Sequence, residues 1–390
     1  MNVGNSSSKP ICLVHGRIFT PHRIIDDGCI VVRNGLIAAV GRRSEITPPA
    51  DAEVIDVAGM QIIPGLIDLH LHGIEGQDVS GGDISVISEA LAKHGVTSFV
   101  ASLVAAPHNE LVDAIEHLVA GCNALPGAKM VGIHLEGPYI SPNQAGALNP
   151  RFFRLPNQGE AMELLRAGRG KIRIMTIAPE LEGASQLISW LSSQGVVPSI
   201  GHSDASFEQV ASAVKNGLQH ATHLFNAMRQ FHHREPGAVG AVLDHNEITA
   251  EIIADGHHVH PAAIRLLLRL KGVDRVCLVS DAMPLAGLAP GIYTWLGKKV
   301  TIDDATARLQ NRTLAGSITP LNVALRNLIE LTGIPFEIAL RTASSTPARV
   351  LSLNSGVIEV GKDADIVVLD STFRARTTLV QGRVVYQGDL

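Results

Sequence analysis

Residues 66–70 read LIDLH, a short apolar run that ends on a histidine, and comparable runs recur seven times further along the chain. They are TSFVASLV (97–104), MVGIHLE (130–136), IRIMTIA (172–178), VVPSIGH (196–202), LQHATHL (218–224), TAEIIAD (249–255) and RVCLVSD (275–281). Each has the length and apolar content of a buried strand. A closed (β/α)8 TIM barrel needs eight strands, so the runs predict an α/β protein built on such a barrel.

Amphipathic stretches separate most of these runs, as the alternation of strand and helix in a barrel requires. Helical patterns cover SVISEALAKH (85–94), NELVDAIEHLVA (109–120), FEQVASAVKN (207–216) and PAAIRLLLRLK (261–271). A glycine follows each of them, at positions 95, 121, 217 and 272, where a left-handed C-terminal cap is expected. Residues 225–244 lack a clear helical pattern, and we predict a functional loop there.

The two ends of the chain are rich in β-branched residues and turns. Asn34-Gly35 separates two apolar runs near the N-terminus, and Gln381-Gly382 does the same near the C-terminus. Both are typical of β-hairpins. The sequence therefore predicts two domains: residues 1–63 plus 352–390 form a small β-sandwich, and residues 64–351 form the barrel.

Composition excludes several classes of partner. Lys+Arg 32 against Asp+Glu 37 gives a net charge of -5, so no basic surface for nucleic acid or an anionic membrane is expected. The 4 cysteines are far apart, which argues against a disulfide framework. No apolar stretch has the length of a membrane span, and the polar N-terminus does not resemble a signal peptide. We expect a cytoplasmic protein that acts on a small molecule.

Metal-binding and acidic residues stand at the ends of the predicted strands. His70 and His72 are two residues apart, so their side chains leave the same face of a strand and can bind one ion. Glu136, His202 and His223 end other strands, and the C-terminal strand ends of a barrel meet at one mouth. These five residues predict a metal site. Considered alone, the pair His70 and His72 is weak evidence for a metal, and two half-buried polar residues at a strand end are then the favoured alternative.

Asp281 ends the eighth predicted strand. A carboxylate that emerges from the apolar run RVCLV is partly desolvated unless a cation or polar partner stands nearby. A base beside a metal-bound water meets that condition. The alternative is a structural Asp that caps the next segment or accepts hydrogen bonds from backbone N–H groups.

Eight motifs together resemble the N-acetylglucosamine-6-phosphate deacetylases of the amidohydrolase superfamily, in order and spacing across essentially the whole chain. They are PGLIDLHLHG, HLEGPYIS, GHSDAS, HATHLFNAM, REPG, DGHHV, LVSDAM and TLAGS. The C-terminal GVIEVGKDADIVVLD looks like the sandwich segment that closes many amidohydrolases.

The resemblance implies an activity and a set of metal ligands. The activity is hydrolysis of the acetamido group of an N-acetyl amino-sugar 6-phosphate by a metal-activated hydroxide, with Asp281 as general base and acid. Glu136, His202 and His223 would hold the principal divalent metal, zinc or iron, and the histidines at 70 and 72 would hold a second ion with the shared glutamate.

The resemblance also implies residues that bind the rest of the substrate. The backbone N–H groups of Asn226 and Ala227, together with His258 and Arg234, would bind the phosphate, with Arg234 reaching across a homodimer interface. Leu314 would contact the acetyl methyl. Without the resemblance, Arg234 could simply be a solvated loop residue.

One residue departs from the family pattern. Leu148 stands where similar deacetylases often place a histidine that contacts the sugar and helps to polarise the carbonyl. Leucine donates no hydrogen bond, so the sugar stays open: N-acetylglucosamine 6-phosphate, N-acetylgalactosamine 6-phosphate or an unphosphorylated sugar. Hydrolysis of another amide, such as an N-acyl amino acid, is a further alternative. A scaffold without activity is disfavoured because all the candidate ligands and the base are present.

Overall fold

The computed structural model describes residues 9–388; residues 1–8, whose polar sequence argued against a signal peptide, and residues 389–390 lie outside this range. The strands are β1 Ile11–Phe19, β2 Ile24–Arg33, β3 Leu36–Arg42, β4 Glu53–Asp56, β5 Gln61–Pro64, β6 Leu66–Leu71, β7 Gly73–Ile74, β8 Gln77–Asp78, β9 Val96–Val104, β10 Lys129–Glu136, β11 Ile172–Ile177, β12 Val197–Ile200, β13 His220–Ala221, β14 Thr249–Ile253, β15 Val276–Val279, β16 Gly291–Trp295, β17 Lys298–Ile302, β18 Ala307–Leu309, β19 Leu314–Gly316, β20 Ile366–Leu369, β21 Ala375–Val380 and β22 Arg383–Gln387.

The α-helices follow the strands in alternation through the middle of the chain. They are α1 Ile84–Lys93, α2 His108–Gly121, α3 Gln158–Ala167, α4 Ala184–Ser193, α5 Phe207–Lys215, α6 Gly237–Asp244, α7 Pro261–Lys271, α8 Leu321–Thr332, α9 Phe336–Thr342 and α10 Ser345–Val350. Within residues 9–388, no helix has both the length and the apolar character that crossing a bilayer requires. The cytoplasmic location expected from the sequence stays a prediction.

All eight predicted barrel strands form, and they pair in parallel in the order β6-β9-β10-β11-β12-β13-β14-β15. The first and last strands meet as well, because the Asp281 N–H donates to the His70 carbonyl at 3.0 Å and Leu71 bridges Ala282. The barrel is therefore nearly closed. An apolar cluster that includes Leu69, Val100 and Ile174 fills its interior.

The glycines predicted as left-handed helix caps agree only in part with the structure: the cap is wrong at Gly272, whose ψ of 161° lies outside the left-handed helical region. Gly95, Gly217 and Gly272 all adopt positive φ angles, of 73°, 104° and 67°, just after their helices. Gly121 does not: it is the last residue of α2, and Cys122 follows in right-handed helical conformation. The left-handed cap predicted at position 121 is therefore wrong.

The segment predicted as a loop is only partly one. Residues 225–236 are irregular, but α6 occupies Gly237–Asp244, so the loop prediction is wrong for the second half. The physical reason is burial on all sides: the first six residues of α6 are all buried. A helix surrounded by protein carries no polar face, so its sequence GAVGAVLD shows no amphipathic period.

The two ends of the chain combine into one mixed sheet of eight strands. Antiparallel pairing of β5 with β20, with Ile62 opposite Val368, joins the N-terminal half of the sheet to the C-terminal half. The sheet folds over a shared apolar core, which gives the predicted sandwich its form. The domain boundaries at 63/64 and 351/352 stay a prediction, supported by the end of β5 at Pro64 and of α10 at Val350.

A four-stranded antiparallel sheet, β16 to β19, follows the last barrel strand. The sequence did not predict this insertion. Its inner face packs on Met283 and Leu285, next to the barrel mouth. The insertion thereby places Trp295 and Leu314 over the strand ends, where both line the same cleft.

Candidate metal centre and active site

The barrel brings the five predicted metal ligands and the predicted base to one mouth. His70 lies on β6, Glu136 is the last residue of β10, and the others follow the ends of their strands by one or two residues: His72, His202, His223 and Asp281. All six are buried, with at most 8% of any residue exposed. The side chains are close enough to form two groups, His70 with His72 and Asp281, and Glu136 with His202 and His223.

Glu136, His202 and His223 point their ligand atoms at a common point. Oε1 of Glu136 lies 3.0 Å from Nε2 of His202 and 2.9 Å from Nε2 of His223. The two imidazole nitrogens are 3.2 Å apart. Two nitrogens and a carboxylate oxygen that converge in this way suit a tetrahedral zinc or a similar divalent ion.

The second group shares the glutamate with the first. Nε2 of His70 lies 3.2 Å from Nε2 of His72, and these atoms are 3.5 Å and 3.3 Å from Oδ1 of Asp281. Glu136 reaches both histidines, with Oε1 3.6 Å from His70 Nε2 and Oε2 3.4 Å from His72 Nε2. The two buried triads, linked by one carboxylate, are consistent with a binuclear metal site.

Hydrogen bonds at the far ring nitrogen orient three of the four imidazoles. His202 Nδ1 donates to the Gln144 carbonyl at 2.9 Å, and His72 Nδ1 donates to the Ser102 carbonyl at 2.9 Å. His70 Nδ1 donates to Oε2 of Glu251 at 3.0 Å. When the ring is neutral, such a bond places its proton on Nδ1 and leaves the lone pair of Nε2 aimed at the site, which is the arrangement that metal-binding histidines require.

Glu251 is a functional candidate that the sequence reasoning missed. It lies in β14 and is fully buried, and it accepts hydrogen bonds from His70 Nδ1, from His220 Nε2 at 3.1 Å and from the His223 backbone N–H at 3.1 Å. It therefore holds one residue from each triad. The sequence did contain a signal for this role. Glu251 lies within the apolar run TAEIIAD, and a buried carboxylate is stable only if it has hydrogen-bonding or charged partners.

The site carries a strong negative field. Burial alone would lower the pKa of His70, but the carboxylates of Asp281 and Glu251 outweigh it and raise that pKa to about 10. Burial would raise the pKa of Glu136, yet the hydrogen bonds from His202 and His223 hold it well below its usual value. The carboxylates therefore stay ionised, and their excess charge attracts a proton or a metal cation to the imidazoles.

Three of the site residues have an unusual backbone conformation. His202, His223 and Asp281 adopt φ angles of 47°, 30° and 47°. Positive φ is uncommon for residues other than glycine, and such strain concentrates at functional sites where the surrounding structure enforces it. The sharp turn lets each side chain point into the mouth directly after its strand.

The structure places most of the predicted substrate residues in the cleft beside the triads. This cleft, of about 260 Å³, is lined by Asn226, Ala227, His258 and Leu314 together with the metal-site residues. The Ala227 N–H has no acceptor among the described residues, whereas the Asn226 N–H donates to the His223 carbonyl at 3.0 Å. Arg234 does not line the cleft; it lies in an exposed loop, where its guanidinium bonds to His233.

Comparison with known proteins identifies the family. A family model described as amidohydrolase family matches residues 61–385. The N-acetylglucosamine-6-phosphate deacetylase of Bacillus subtilis is 35% identical over 378 residues, which are 95% of this chain and 95% of that protein. The chain belongs to this deacetylase family of the amidohydrolases.

Other members of the deacetylase family agree in fold and sequence. The structure of a mutant N-acetyl-D-glucosamine-6-phosphate deacetylase from Mycobacterium smegmatis, in complex with N-acetyl-D-glucosamine-6-phosphate, matches with a TM-score of 0.91 at 33% identity, covering 97% of this chain and 100% of that one. An N-acetylgalactosamine-6-phosphate deacetylase of Escherichia coli O157:H7 is 36% identical over 375 residues, 94% of this chain and 97% of that protein. The family therefore includes relatives named for either sugar epimer.

Proposed function

We propose that this amidohydrolase removes the acetyl group of N-acetylglucosamine 6-phosphate, giving acetate and the amino-sugar phosphate. The observation that carries the proposal is the convergence of Glu136, His202 and His223 on one point, beside Asp281, in a chain that is 35% identical to such a deacetylase over 95% of its length.

The donor set fits one or two divalent cations, zinc or iron, because imidazole nitrogen and carboxylate oxygen suit both metals. Glu136, His202 and His223 would hold the principal ion, and His70 and His72 would hold a second with the shared glutamate. When bound there, a divalent cation lowers the pKa of water toward about 7 and polarises a carbonyl group.

Asp281 is the general base and acid of the proposed reaction. Burial would raise its pKa, but the charges of His70 and the hydrogen bond from His72 lower it, so the carboxylate is ionised and able to accept a proton. It takes the proton of the attacking water and returns a proton to the amide nitrogen as the C–N bond breaks. Without that protonation, the amine is a very poor leaving group.

Ala227 and His258, which also line the cleft, bind the phosphate in this proposal. The Ala227 N–H, which has no acceptor within residues 9–388, is a ready donor, and His258 is held in place because its Nδ1 and backbone N–H both bond to Asp255. Hydrogen bonds from His258 keep the pKa of Asp255 low although its burial acts in the other direction. Arg234 would complete the phosphate site from the second subunit of a homodimer. Leu314 would contact the acetyl methyl.

A panel of substrates tests the function. Acetate release is measured for N-acetylglucosamine 6-phosphate, N-acetylglucosamine, N-acetylgalactosamine 6-phosphate and an N-acetyl amino acid, with enzyme loaded with zinc or iron. We expect the first compound to have the highest kcat/KM and removal of the phosphate to lower it by at least about 100-fold. Equal rates with and without the phosphate would contradict the assignment of His258 and Ala227.

N-acetylgalactosamine 6-phosphate is the second candidate substrate. The 36% identity to an Escherichia coli deacetylase named for this sugar favours it. So does Leu148, a buried leucine that lines the cleft and offers the sugar hydroxyls no hydrogen bond. The same panel decides between the epimers through the ratio of their kcat/KM values.

A further inference from the structure

A second cavity lies directly beside the catalytic cleft. Its volume is about 450 Å³, within the range of small-molecule pockets. It shares three lining residues with the cleft, namely His72, Leu148 and Trp295, so the two spaces meet at the second metal triad. We call this cavity the side chamber. Leu314, the residue proposed to contact the acetyl methyl, lines the cleft but not the side chamber.

The walls of the side chamber are mostly aliphatic and aromatic. They include Leu103, Ala105, Leu111, Ala114 and Phe152. None of the described residues that line it is a lysine or arginine, whereas Asp78 and Glu110 bring negative charge. The chamber therefore suits an uncharged apolar group and disfavours one that ends in a carboxylate.

The three shared residues form the opening between cleft and chamber, which we call the doorway, and three hydrogen bonds and one ring contact hold it in place. The Trp295 indole N–H donates to Oδ2 of Asp78 at 2.9 Å, and the Trp295 ring lies 5.8 Å from the His72 ring. Lys298, from the same inserted sheet, donates to the carbonyls of Ala147 and Leu148 at 2.6 Å and 3.3 Å. The doorway is therefore well ordered, because hydrogen bonds fix the indole of Trp295 and the backbone of Leu148.

The position of the chamber matches one end of the proposed substrate. Its residues follow the first two barrel strands, β6 and β9, and begin α2, whereas Asn226 and Ala227 follow the sixth strand, β13. Strands two and six of eight lie across the barrel from each other. In a pyranose ring, C2 is opposite C5, and C5 bears the exocyclic C6 that carries the phosphate. A substrate with its phosphate at Ala227 and its C2 amide at the metal triads therefore directs its acyl chain toward the chamber.

We infer that the side chamber is an acyl-binding subsite, and that the enzyme hydrolyses amino-sugar 6-phosphates whose N-acyl group is an uncharged chain longer than acetyl. This inference rests on the function proposed above. The reaction is balanced in the same way: the C–N bond breaks, the water oxygen forms the new C–O bond, its protons pass to the amine and to solvent, and a longer carboxylate leaves.

A series of glucosamine 6-phosphates with N-acetyl, N-butanoyl, N-hexanoyl and N-succinyl groups tests the inference on the wild-type chain, with kcat/KM measured by release of the free amine. We expect the butanoyl and hexanoyl compounds to react within about 10-fold of the acetyl compound. A pocket without room discriminates 10–200-fold for a single added methylene. N-succinyl has the chain length of butanoyl with a terminal carboxylate, and we expect it to be at least about 10-fold slower than butanoyl.

A variant that fills the chamber provides the second measurement. Ala114 lines the chamber from α2, and Ala114→Leu should lower the hexanoyl-to-acetyl ratio of kcat/KM by at least about 10-fold. Ala120→Leu, the same change at an exposed position of the same helix, should leave that ratio unchanged. Because the wild-type series stands by itself, a poorly folded Ala114→Leu protein does not prevent the test.

The outcomes separate this inference from the proposed function. If the acetyl compound is hydrolysed but kcat/KM for the butanoyl and hexanoyl compounds is more than about 100-fold lower, the acyl subsite alone is overturned. No turnover of any member of the series would overturn the proposed function and the subsite together. If an apolar C1-glycoside of the acetyl compound is hydrolysed rapidly while the hexanoyl compound is not hydrolysed, the chamber binds the C1 substituent and the inference is refuted.

Discussion

Replacing Glu251 with glutamine tests whether this buried carboxylate positions and charges the metal site. Gln keeps the size of the side chain, and its oxygen can still accept from His70 Nδ1 and the His223 N–H, which both bond to Oε2 of Glu251. Its amide nitrogen would face His220, whose Nδ1 has no partner among the described residues and which can therefore change tautomer. The substitution thus removes a charge with little change in packing.

The size of the effect follows from the lost charge. Hydrogen bonds to charged groups contribute about 1.5–3 kcal/mol each, and 1.4 kcal/mol is a factor of ten in an equilibrium constant. The glutamine oxygen still accepts the bond from His70, and a bond between neutral groups contributes about 0.5–1.5 kcal/mol, so the loss is about 1–1.5 kcal/mol, or about 5–10-fold in affinity for the second metal. This is at the low end of the roughly 10–100-fold typical for the outer partners of metal-binding histidines. Burial favours neutral Glu251, but the charge of His70 and the bond from His220 lower its pKa, so the wild-type residue is ionised.

The assay is competition between the protein and a chromogenic chelator, with zinc added in steps so that the weaker of two sites is resolved. Glu247→Gln is the matched control, because Glu247 lies near the start of the same strand with 65% of its side chain exposed. Unfolding of both metal-free variants checks that the fold is intact. A Glu251→Gln protein that folds normally and binds both metals as tightly as the wild type would refute the positioning role.

Three further predictions concern the base, the phosphate and a remote carboxylate. Asp281→Asn should keep the principal metal but lower kcat by about 10²–10⁴-fold, as loss of general acid–base catalysis does, measured by metal analysis and acetate release. Arg234→Ala should raise KM for the phosphorylated substrate about 10-fold or more with little change in kcat, and a phosphate-free substrate should show no such change. Asp370→Asn should lower the free energy of unfolding by roughly 1–2 kcal/mol near pH 6. Partial burial favours neutral Asp370, but hydrogen bonds from Thr372, the Arg374 N–H and Arg376 lower its pKa to about 2. The contribution of Asp370 to stability is therefore complete above about pH 4 and is lost as the pH falls toward 2. Urea unfolding of both proteins at pH 6, 4 and 3 measures this, and a difference in unfolding free energy that does not change with pH would contradict it.

The barrel and its mouth were predictable because their signals are local. Each strand is a short apolar run, and the residues at its end, such as Glu136 and Asp281, are polar where the run stops. Once eight runs are counted, the topology of a closed barrel brings their ends together without further information. The two triads therefore follow from the sequence as soon as the fold does.

Other features depend on contacts that no local pattern records. Glu251 bonds to His70, which is 181 residues away in the chain, so its role is invisible until the strands are assembled. Trp295 lies in a small inserted sheet whose strands have 3 to 5 residues, too short for a clear alternation. The α6 helix was predicted as loop because a helix buried on all sides loses the polar face by which helices are recognised.

The position of Glu136, which belongs to one triad and lies within 3.6 Å of both histidines of the other, has a thermodynamic consequence. Its Oε1 contacts His202 and its Oε2 contacts His72, so a cation bound at either triad would interact with the same carboxylate. Linkage then requires reciprocity: if filling the first triad changes the affinity of the second by some factor, filling the second changes the affinity of the first by that same factor. If two ions bind, this coupling gives them unequal apparent binding constants, even if the two triads are intrinsically alike.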